Sequence, residues 1–292
     1  MASMKVIKKR ISSVNSTKKI MKAMNLVAAS KLQKVKSRLD GIRPMYDCLT
    51  QVMDGVRAGL GSEYDLVFTE KRDVKNIAYI VLTGDRGLCG GYNVNVSKEA
   101  LACIESNRGK QEKIIAIGSK GSDYFRRRNK EIIHRSESAS EASTFLDAEA
   151  LANYVTSMYT SGKVDEVYII YTHFESILAH IPHIVRLLPL RTTDSKAAAK
   201  AEVGYSSLPM IYDPDVETFI DHTVPMYLSI SIYSAMLEST VCELASRMTS
   251  MDSATRNATE IIDDLTLEFN RKRQGMITQE ITEIVSGANA LQ

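Results

Sequence analysis

The sequence lacks the features that mark several common protein classes. It contains no tryptophan, six prolines and four cysteines, and none of the cysteines forms a CxxC pair. Widely spaced cysteines of this kind are typical of free thiols in a reducing compartment rather than of a disulfide framework or a zinc site. The chain also has no apolar run of bilayer length and no apolar stretch behind its charged start. These absences predict a soluble chain that is not exported and does not insert directly into a bilayer.

Acidic residues are missing from the first 39 positions, although the net charge of the whole chain is only +2. The same segment carries eleven Lys and Arg residues. A run of this kind faces either water or a negatively charged partner. A nucleic-acid surface is one interpretation, but the segment has no interleaved aromatic residues. Docking on an acidic protein surface fits the pattern better.

An apolar seam runs through the C-terminal third of the chain. Its positions advance in alternating steps of four and three, and only Thr255 among them is polar: Leu237, Val241, Leu244, Met248, Met251, Thr255, Ala258, Ile262, Leu265 and Phe269. A repeat of about 3.5 residues is the seam of a left-handed coiled coil, and so narrow a stripe needs a partner helix. Asp213-Pro214-Asp215 is a helix start signal, although Pro225 leaves open a start only there.

A second seam with the same steps occupies residues 4–57. It comprises Ile7, Ile11, Val14, Lys18, Met21, Asn25, Ala28, Leu32, Val35, Leu39, Ile42, Tyr46, Leu49, Met53 and Val56. Lys18 and Asn25 interrupt it, and a polar residue in a seam lowers stability but fixes register. Pro44 is expected to bend or weaken this helix. Antiparallel pairing of the two terminal helices would bury both seams.

Between the seams the pattern changes to short apolar runs that alternate with helical stretches. Strands are predicted at residues 76–83, 113–118, 131–134, 166–174 and 184–190, with helices near 94–106, 122–128 and 144–161. This alternation predicts an α/β fold in which a long antiparallel coiled coil of the N- and C-terminal helices brackets a central Rossmann-like α/β domain. The predicted segments are an N-terminal helix at 1–57, a linker at 58–75, the α/β domain at 76–191, a connector at 192–212 and a C-terminal helix at 213–292.

Few residues of the central domain suggest chemistry. The turn from Gly84 to Gly91 lies between a strand and a helix, where a phosphate loop would sit, but it fits neither GxGxxG nor GxxxxGK[ST]. His173, His180 and His183 cluster around two predicted strands without an acidic or Cys ligand at suitable spacing for a metal. No Ser/His/Asp or Cys/His arrangement stands out. Catalysis by this chain alone is not expected.

Four motifs in order resemble the gamma subunit of F-type ATP synthases. They are IMKAMNLVAASKL at residues 20–32, DRGLCGGYN at 85–93, ASRM at 245–248 and ITQEITEIVSGA at 277–288. Together they span essentially the whole chain. The resemblance implies the coiled coil and the Rossmann-like domain already predicted. The sequence lacks the cysteine-bearing insertion of chloroplast-type gamma subunits.

The resemblance also implies the role of a central rotor shaft without catalytic residues or a cofactor. Its coiled coil would fill the axis of a hexamer of alternating alpha and beta subunits, and its foot would sit with the epsilon subunit on the membrane-embedded ring of c subunits. Ion flow through the c-ring would turn the shaft and drive ATP synthesis at the beta subunits, with hydrolysis in reverse. The implied location is the cytoplasmic face of a bacterial plasma membrane, and no nucleic acid is involved.

Partner-binding residues carry over from the family by position. Met24, Arg247 and Gln274 would contact the acidic loop of the catalytic subunits, with Lys9, Lys18 and Lys22 as further candidates. Residues 212–215, with Tyr212 and Asp213 foremost, and the turn from Asp85 to Asn93 are candidates for contacts of the foot. The tail from Ile281 to Ala290, short on charge, would turn inside an apolar collar.

Two other functions compete with the rotor. A nucleotide-binding α/β enzyme with helical arms would need the turn from Gly84 to Gly91 to hold phosphate. A basic coiled-coil adaptor would bind nucleic acid with a steep dependence on salt.

Overall fold

The computed structural model describes residues 4–59, 68, 72–136, 142–190 and 215–290. Two long helices, α1 (Met4–Gly59) and α5 (Val216–Ala290), enclose the other elements in sequence. Those are β1 (Asn76–Leu82), α2 (Tyr92–Ser106), β2 (Gln111–Ile117), α3 (Ser119–Arg126), β3 (Ile132–Ser136), α4 (Phe145–Thr160), β4 (Glu166–Phe174) and β5 (His180–Leu188). None of the described helices is long and apolar enough to cross a membrane.

The chain forms two compact units. Unit 1 comprises Met1–Ala29 and Arg247–Gln292, and unit 2 comprises Ser30–Ser246. Both units therefore contain part of α1 and part of α5. The predicted connector at 192–212, and most of the predicted linker at 58–75, lie outside the described residues.

Unit 2 is built on one sheet with the strand order β3-β2-β1-β4-β5. The first four strands of that order are parallel, and β5 pairs with β4 in the antiparallel direction. Parallel strands are covered on both faces, which explains the near-continuous apolar sequence of β1. This sheet and the long terminal helices confirm the predicted α/β fold class.

Alternate residues of β1 enter two separate cores because successive side chains point to opposite faces of a strand. On one face Ala78, Ile80 and Leu82 pack in a cluster with α4, with the C-terminal end of α1 and with the first turns of α5. On the other face Ile77, Tyr79 and Val81 pack with α2 and α3. A third cluster joins Val35 and Leu39 of α1 to Leu237, Val241 and Leu244 of α5.

The structure buries or half-buries every position of both predicted seams. In unit 1 the buried members are Ile7 and Ala28 on α1 and Met251, Ala258 and Leu265 on α5. The 3.5-residue repeat in the sequence is therefore part of the buried face of each helix. Two charged residues between the seam positions of α5, Glu238 and Glu243, are also buried, at 8% and 6% exposure.

The start of α5 differs from one of the two predictions. A start only at Pro225 is wrong, because the helix begins at Val216 and continues through this proline. Asp215 caps it: the Thr218 N–H donates to Asp215 Oδ1 at 2.8 Å, and the Thr218 hydroxyl donates to Oδ2 at 2.9 Å. Asp213 and Pro214, the predicted cap and first-turn residue, lie outside the described residues. Pro44 likewise lies inside α1.

Strand β5 begins four residues before its predicted start at Ile184 and includes Pro182. Proline cannot donate a backbone hydrogen bond, so it is tolerated at the edge of a sheet. Because β5 is the last strand in the sheet order, its outer side has no strand among the described residues to pair with. That edge position explains why the strand extends across a residue that normally interrupts one.

Candidate partner-binding surfaces

Six of the eight predicted partner-binding residues lie in unit 1, on α1 or α5. The exposed ones are Lys9, Lys22 and Gln274, and the half-buried ones are Lys18, Met24 and Arg247. Tyr212 and Asp213 lie outside the described residues. The six described candidates therefore belong to the paired helices and not to the sheet-containing unit.

Asn25 fixes how the two helices of unit 1 pair. Its Nδ2 donates to the backbone carbonyl of Met248 at 2.9 Å. Met24 and Arg247 are the direct neighbours of these two residues, so the structure brings them to the same level of the helix pair. Gln274 lies 27 residues beyond Arg247, roughly 40 Å further along α5 at 1.5 Å per residue. The predicted set thus divides into a contact at Met24 and Arg247 and a separate one near Gln274.

An apolar stripe on the exposed side of α1 was missed by the sequence reasoning. Val6, Ile20 and Val27 are 55%, 60% and 53% exposed. They are separated by 14 and 7 residues, so they lie on nearly one face of the helix. All three lie outside the buried seam. An apolar residue outside the seam does not contribute to helix pairing, so its position in the sequence is the signal that predicts such a stripe.

The last turns of α5 are exposed along their whole circumference. Every residue from 273 to 289 is exposed, and Ile277, Ile281, Ile284 and Val285 are 47%, 56%, 71% and 53% exposed. Their spacing places these four side chains on one side of the helix. An apolar surface of this kind on an exposed helix is typical of an interaction site.

The α1 part of unit 1 is also strongly basic. Lys5, Lys8, Lys9, Arg10, Lys19 and Lys22 are exposed, and Lys18 is half-buried. With no acidic residue in this part of α1, the surface attracts a negatively charged partner over a distance of about 10 Å.

Hydrogen bonds hold the shape of the turn between β1 and α2. The Gly84 N–H donates to Asn93 Oδ1 at 2.7 Å, and Asn93 Nδ2 donates to the Arg86 carbonyl at 3.2 Å. Asp85 accepts from the Ser119 N–H at 2.8 Å through Oδ1. Leu88 and Gly90 both have positive φ, 62° and 54°, so the turn reverses sharply between these bonds.

The same turn packs on α5. Ser246 donates its hydroxyl to the Cys89 carbonyl at 2.6 Å, and the Tyr92 and Ser239 hydroxyl oxygens lie 2.9 Å apart. A Cβ at Gly84 would lie 2.6 Å from Glu243 Oε1, so a carboxylate lies close to the position that a phosphate would need. The turn from Gly84 to Gly91 therefore bonds the sheet to α5, and we call it the clamp turn. The same geometry argues against nucleotide binding at this turn.

The three histidines of β4 and β5 do not converge on one point. His173 Nδ1 lies 2.8 Å from Glu238 Oε2 on α5, and the rings of His173 and His183 are 5.0 Å apart. Burial lowers the pKa of His180. Within the described residues there is no group of three or more His, Cys, Asp and Glu side chains that could hold a metal ion.

Comparison with known sequences places the whole chain in one family. A family model described as ATP synthase matches residues 3–291. The ATP synthase gamma chain of Alkaliphilus metalliredigens is 41% identical over 290 residues, covering 99% of both chains. The sodium ion specific ATP synthase gamma chain of Acetobacterium woodii is 39% identical, covering 98% of this chain and 97% of its own length.

Solved structures show the same fold. The chain matches one in the OSCP/F1/c-ring structure of the Euglena gracilis mitochondrial ATP synthase in rotational state 3. The TM-score is 0.66 and the identity 17%, covering 99% of this chain and 94% of the other. A chain in the central stalk/c-ring structure of the Tetrahymena thermophila mitochondrial enzyme matches with a TM-score of 0.60 and 24% identity, covering 80% and 99%.

Proposed function

Because the chain belongs to the ATP synthase gamma chain family, we propose that it is the central rotor shaft of an F-type ATP synthase. It couples ion flow through the membrane sector to ATP synthesis at the catalytic subunits, or hydrolysis to rotation in reverse. The chain itself is a non-catalytic subunit. The observation that carries this function is the match of residues 3–291 to the family model, together with full-length relatives at about 40% identity.

A rotor needs contacts that differ from one catalytic subunit to the next. Identical catalytic subunits remain equivalent unless one asymmetric partner touches each of them differently. A single copy of unit 1 supplies such contacts, because its basic and apolar surfaces lie on particular sides of α1 and α5. Rotation then presents these surfaces to each catalytic subunit in turn and shifts its equilibrium between open and closed states.

The alpha and beta subunits are the partners of unit 1 in this proposal. The basic face of α1 suits an acidic loop, and Arg247 offers the charge-assisted hydrogen bonds that a force-transmitting contact requires. The exposed end of α5 suits an apolar collar, because apolar contacts are non-directional and do not hold the helix at one angle. Support comes from the exposure of Ile277, Ile281 and Ile284.

The epsilon subunit and the c-ring are the proposed partners of the remainder of the chain. The complex is membrane-associated, and this subunit is peripheral to the membrane through its partners. Its proposed location is the cytoplasmic face of a bacterial plasma membrane, and bacterial organisms are the sources of the two relatives described above.

Co-purification tests the function directly. A tagged form of the full chain, expressed with the alpha and beta subunits from the same genome, is expected to bring both down in a complex with ATPase activity. A tagged chain that purifies without them, or with them but without ATPase activity, would contradict the rotor function.

The predicted contact residues give a second test. Arg247→Ala combined with Gln274→Ala is expected to reduce coupled ATP synthesis severalfold in reconstituted vesicles, because two separate contacts with the catalytic subunits are lost. Arg126→Ala is the matched control, since Arg126 is an exposed arginine of α3 in unit 2 that pairs with Asp123 at 2.7 Å. Equal rates for both variants would remove Arg247 and Gln274 from the contact set.

A further inference from the structure

Unit 2 contains a cavity of about 230 Å³ between the sheet and the two long helices. Its walls come from α1, β4, β5 and α5. An apolar cavity of about 150 Å³ holds benzene, so this one has room for a small organic group. None of the described residues proposed to bind the catalytic subunits lines it.

Three tyrosine rings line the cavity: Tyr46 from α1, Tyr171 from β4 and Tyr227 from α5. The face of an aromatic ring carries partial negative charge and attracts cations. Burial raises the pKa of Tyr171, and the charge of Glu238 raises it further. Burial also raises the pKa of Tyr46, and the nearby Tyr227, Glu238 and Asp47 raise this pKa further. The phenols of Tyr46 and Tyr171 therefore stay neutral at physiological pH, beside the carboxylates of Asp47 and Glu238.

The formal charges at the cavity favour a cation. Arg43 and Asp47 line it one helical turn apart on the exposed side of α1 and offset each other, whereas Glu238 is 8% exposed and lies at the inner wall. Among the Arg, Lys, Asp and Glu side chains of the lining, one is positive and two are negative. His173 Nδ1 lies 2.8 Å from Glu238 Oε2. A buried carboxylate is stabilised by a cationic partner more strongly than an exposed one.

One polar atom in the cavity wall has no partner. The hydroxyl of Ser231, a residue that is 9% exposed, is buried without a hydrogen bond. Ser231 lies on α5 two turns before Glu238, and both line the same cavity. A buried hydroxyl without a partner is unfavourable, so a group that donates to it would be stabilised here.

Part of the wall formed by the strands is apolar. Ile169 on β4 and Val185 and Leu187 on β5 contribute to it. A ligand that fits both walls has an alkyl part and a positively charged hydrogen-bond donor. We propose that this cavity binds an alkylammonium group, with the ammonium donating to Glu238 and Ser231 and the alkyl chain packing against the strands. A small free amine and the lysine side chain of a partner subunit share this chemistry.

Titration of the full chain with n-butylammonium tests the proposal. Binding followed by NMR is expected to saturate at millimolar concentrations, with butanol and butyrate as ligands of matched size that bind at least roughly tenfold more weakly because they lack the positive charge. Absence of saturable binding, or equal binding of butanol, would overturn the proposal.

Variants locate the site. Glu238→Gln keeps the shape of the side chain and removes its charge, and it is expected to weaken n-butylammonium binding roughly tenfold or more. Glu260→Gln, an exposed position of the same helix, is the control and is expected to leave binding unchanged. Equal affinity of both variants would contradict the assignment.

A measurement on the unaltered chain avoids dependence on variant folding. Nuclear Overhauser contacts are expected between the ligand methylene protons and the rings of Tyr171 and Tyr227, and contacts only with other residues would contradict the site. The source of the amine follows from repeating the titration in the assembled complex. A partner lysine would block n-butylammonium in the complex, and a free amine site would keep binding it.

Discussion

At the scale of single residues, Thr83, just after β1, is packed so closely that two glycines beside it leave no room for a Cβ. Gly118 has φ +95°, and a Cβ there would overlap the backbone carbonyl of Thr83. A Cβ at Gly121 would lie 2.6 Å from Thr83 Oγ1, the atom to which the Gly121 N–H donates at 2.9 Å. These contacts hold β1 and α3 together beside the clamp turn.

Gly118→Ala is therefore expected to destabilise the chain by about 3 kcal/mol or more, because both the backbone conformation and the space are unsuitable. Gly109→Ala is the matched control. Its φ is +100°, but no atom lies within 4 Å of the added Cβ, so only strain of roughly 1 kcal/mol is expected. Urea unfolding measures both, and equal losses would show that close packing at Gly118 is unimportant.

Buried tyrosines predict a loss of stability in alkali. Burial raises the pKa of Tyr79, Tyr92 and Tyr171 above the ordinary value of 10.0. The unfolded chain therefore loses these protons first, so the stabilisation is complete below about pH 10 and falls as the pH rises beyond it.

Tyr79→Phe tests this pH dependence at one residue. The variant is expected to flatten the decline in unfolding free energy above about pH 10, since one buried phenol is removed from the titration. Urea unfolding across a pH series measures the slope. An unchanged slope would mean that Tyr79 ionises equally well in the folded chain.

At the scale of secondary structure, the terminal helices were predictable because their burial pattern has a strict period. Residues such as Ile7, Val35, Leu237 and Leu265 were identified as seam members from spacing alone, and all are buried. The seam follows from the spacing of residues within each helix, so it can be identified from the sequence without knowledge of the partner helix.

Other features depend on contacts between distant residues and could not be predicted. The clamp needs the Ser246 hydroxyl to reach the Cys89 carbonyl, 157 positions away. The alkylammonium cavity needs Tyr46, Tyr171 and Tyr227 from three elements to meet. Spacing within one segment carries no information about such contacts. The exposed stripe of α1 is different, because the seven-residue spacing of Ile20 and Val27 is a local signal.

The helix pair of unit 1 gives a prediction at this scale. Asn25→Ala removes the hydrogen bond to the Met248 carbonyl and is expected to lower the unfolding free energy by about 1 kcal/mol. Asn15→Ala, at an exposed position of the same helix, is expected to leave stability unchanged or raise it slightly, because alanine favours helix. Thermal unfolding followed by circular dichroism compares them. A larger loss for Asn15→Ala would contradict the role of Asn25.

At the scale of the whole molecule, the two units present different chemistry to partners. Unit 1 exposes basic residues on α1 and apolar residues on the last turns of α5, and its interior is only the helix seam. Unit 2 has two separate cores around its sheet, with the clamp turn bonded to α5. Exposed apolar side chains on a helix pair are costly in water, so the surfaces of unit 1 are understood best as parts of an assembly.

Single-molecule rotation tests the rotor function most directly. In a complex with immobilised catalytic subunits, a probe is attached through Arg108→Cys in a Cys48→Ser background, which removes the exposed natural thiol. On addition of ATP the probe is expected to rotate in one direction and to stop when ATP is removed. Sustained ATP hydrolysis by the same complexes with a stationary probe would contradict the account.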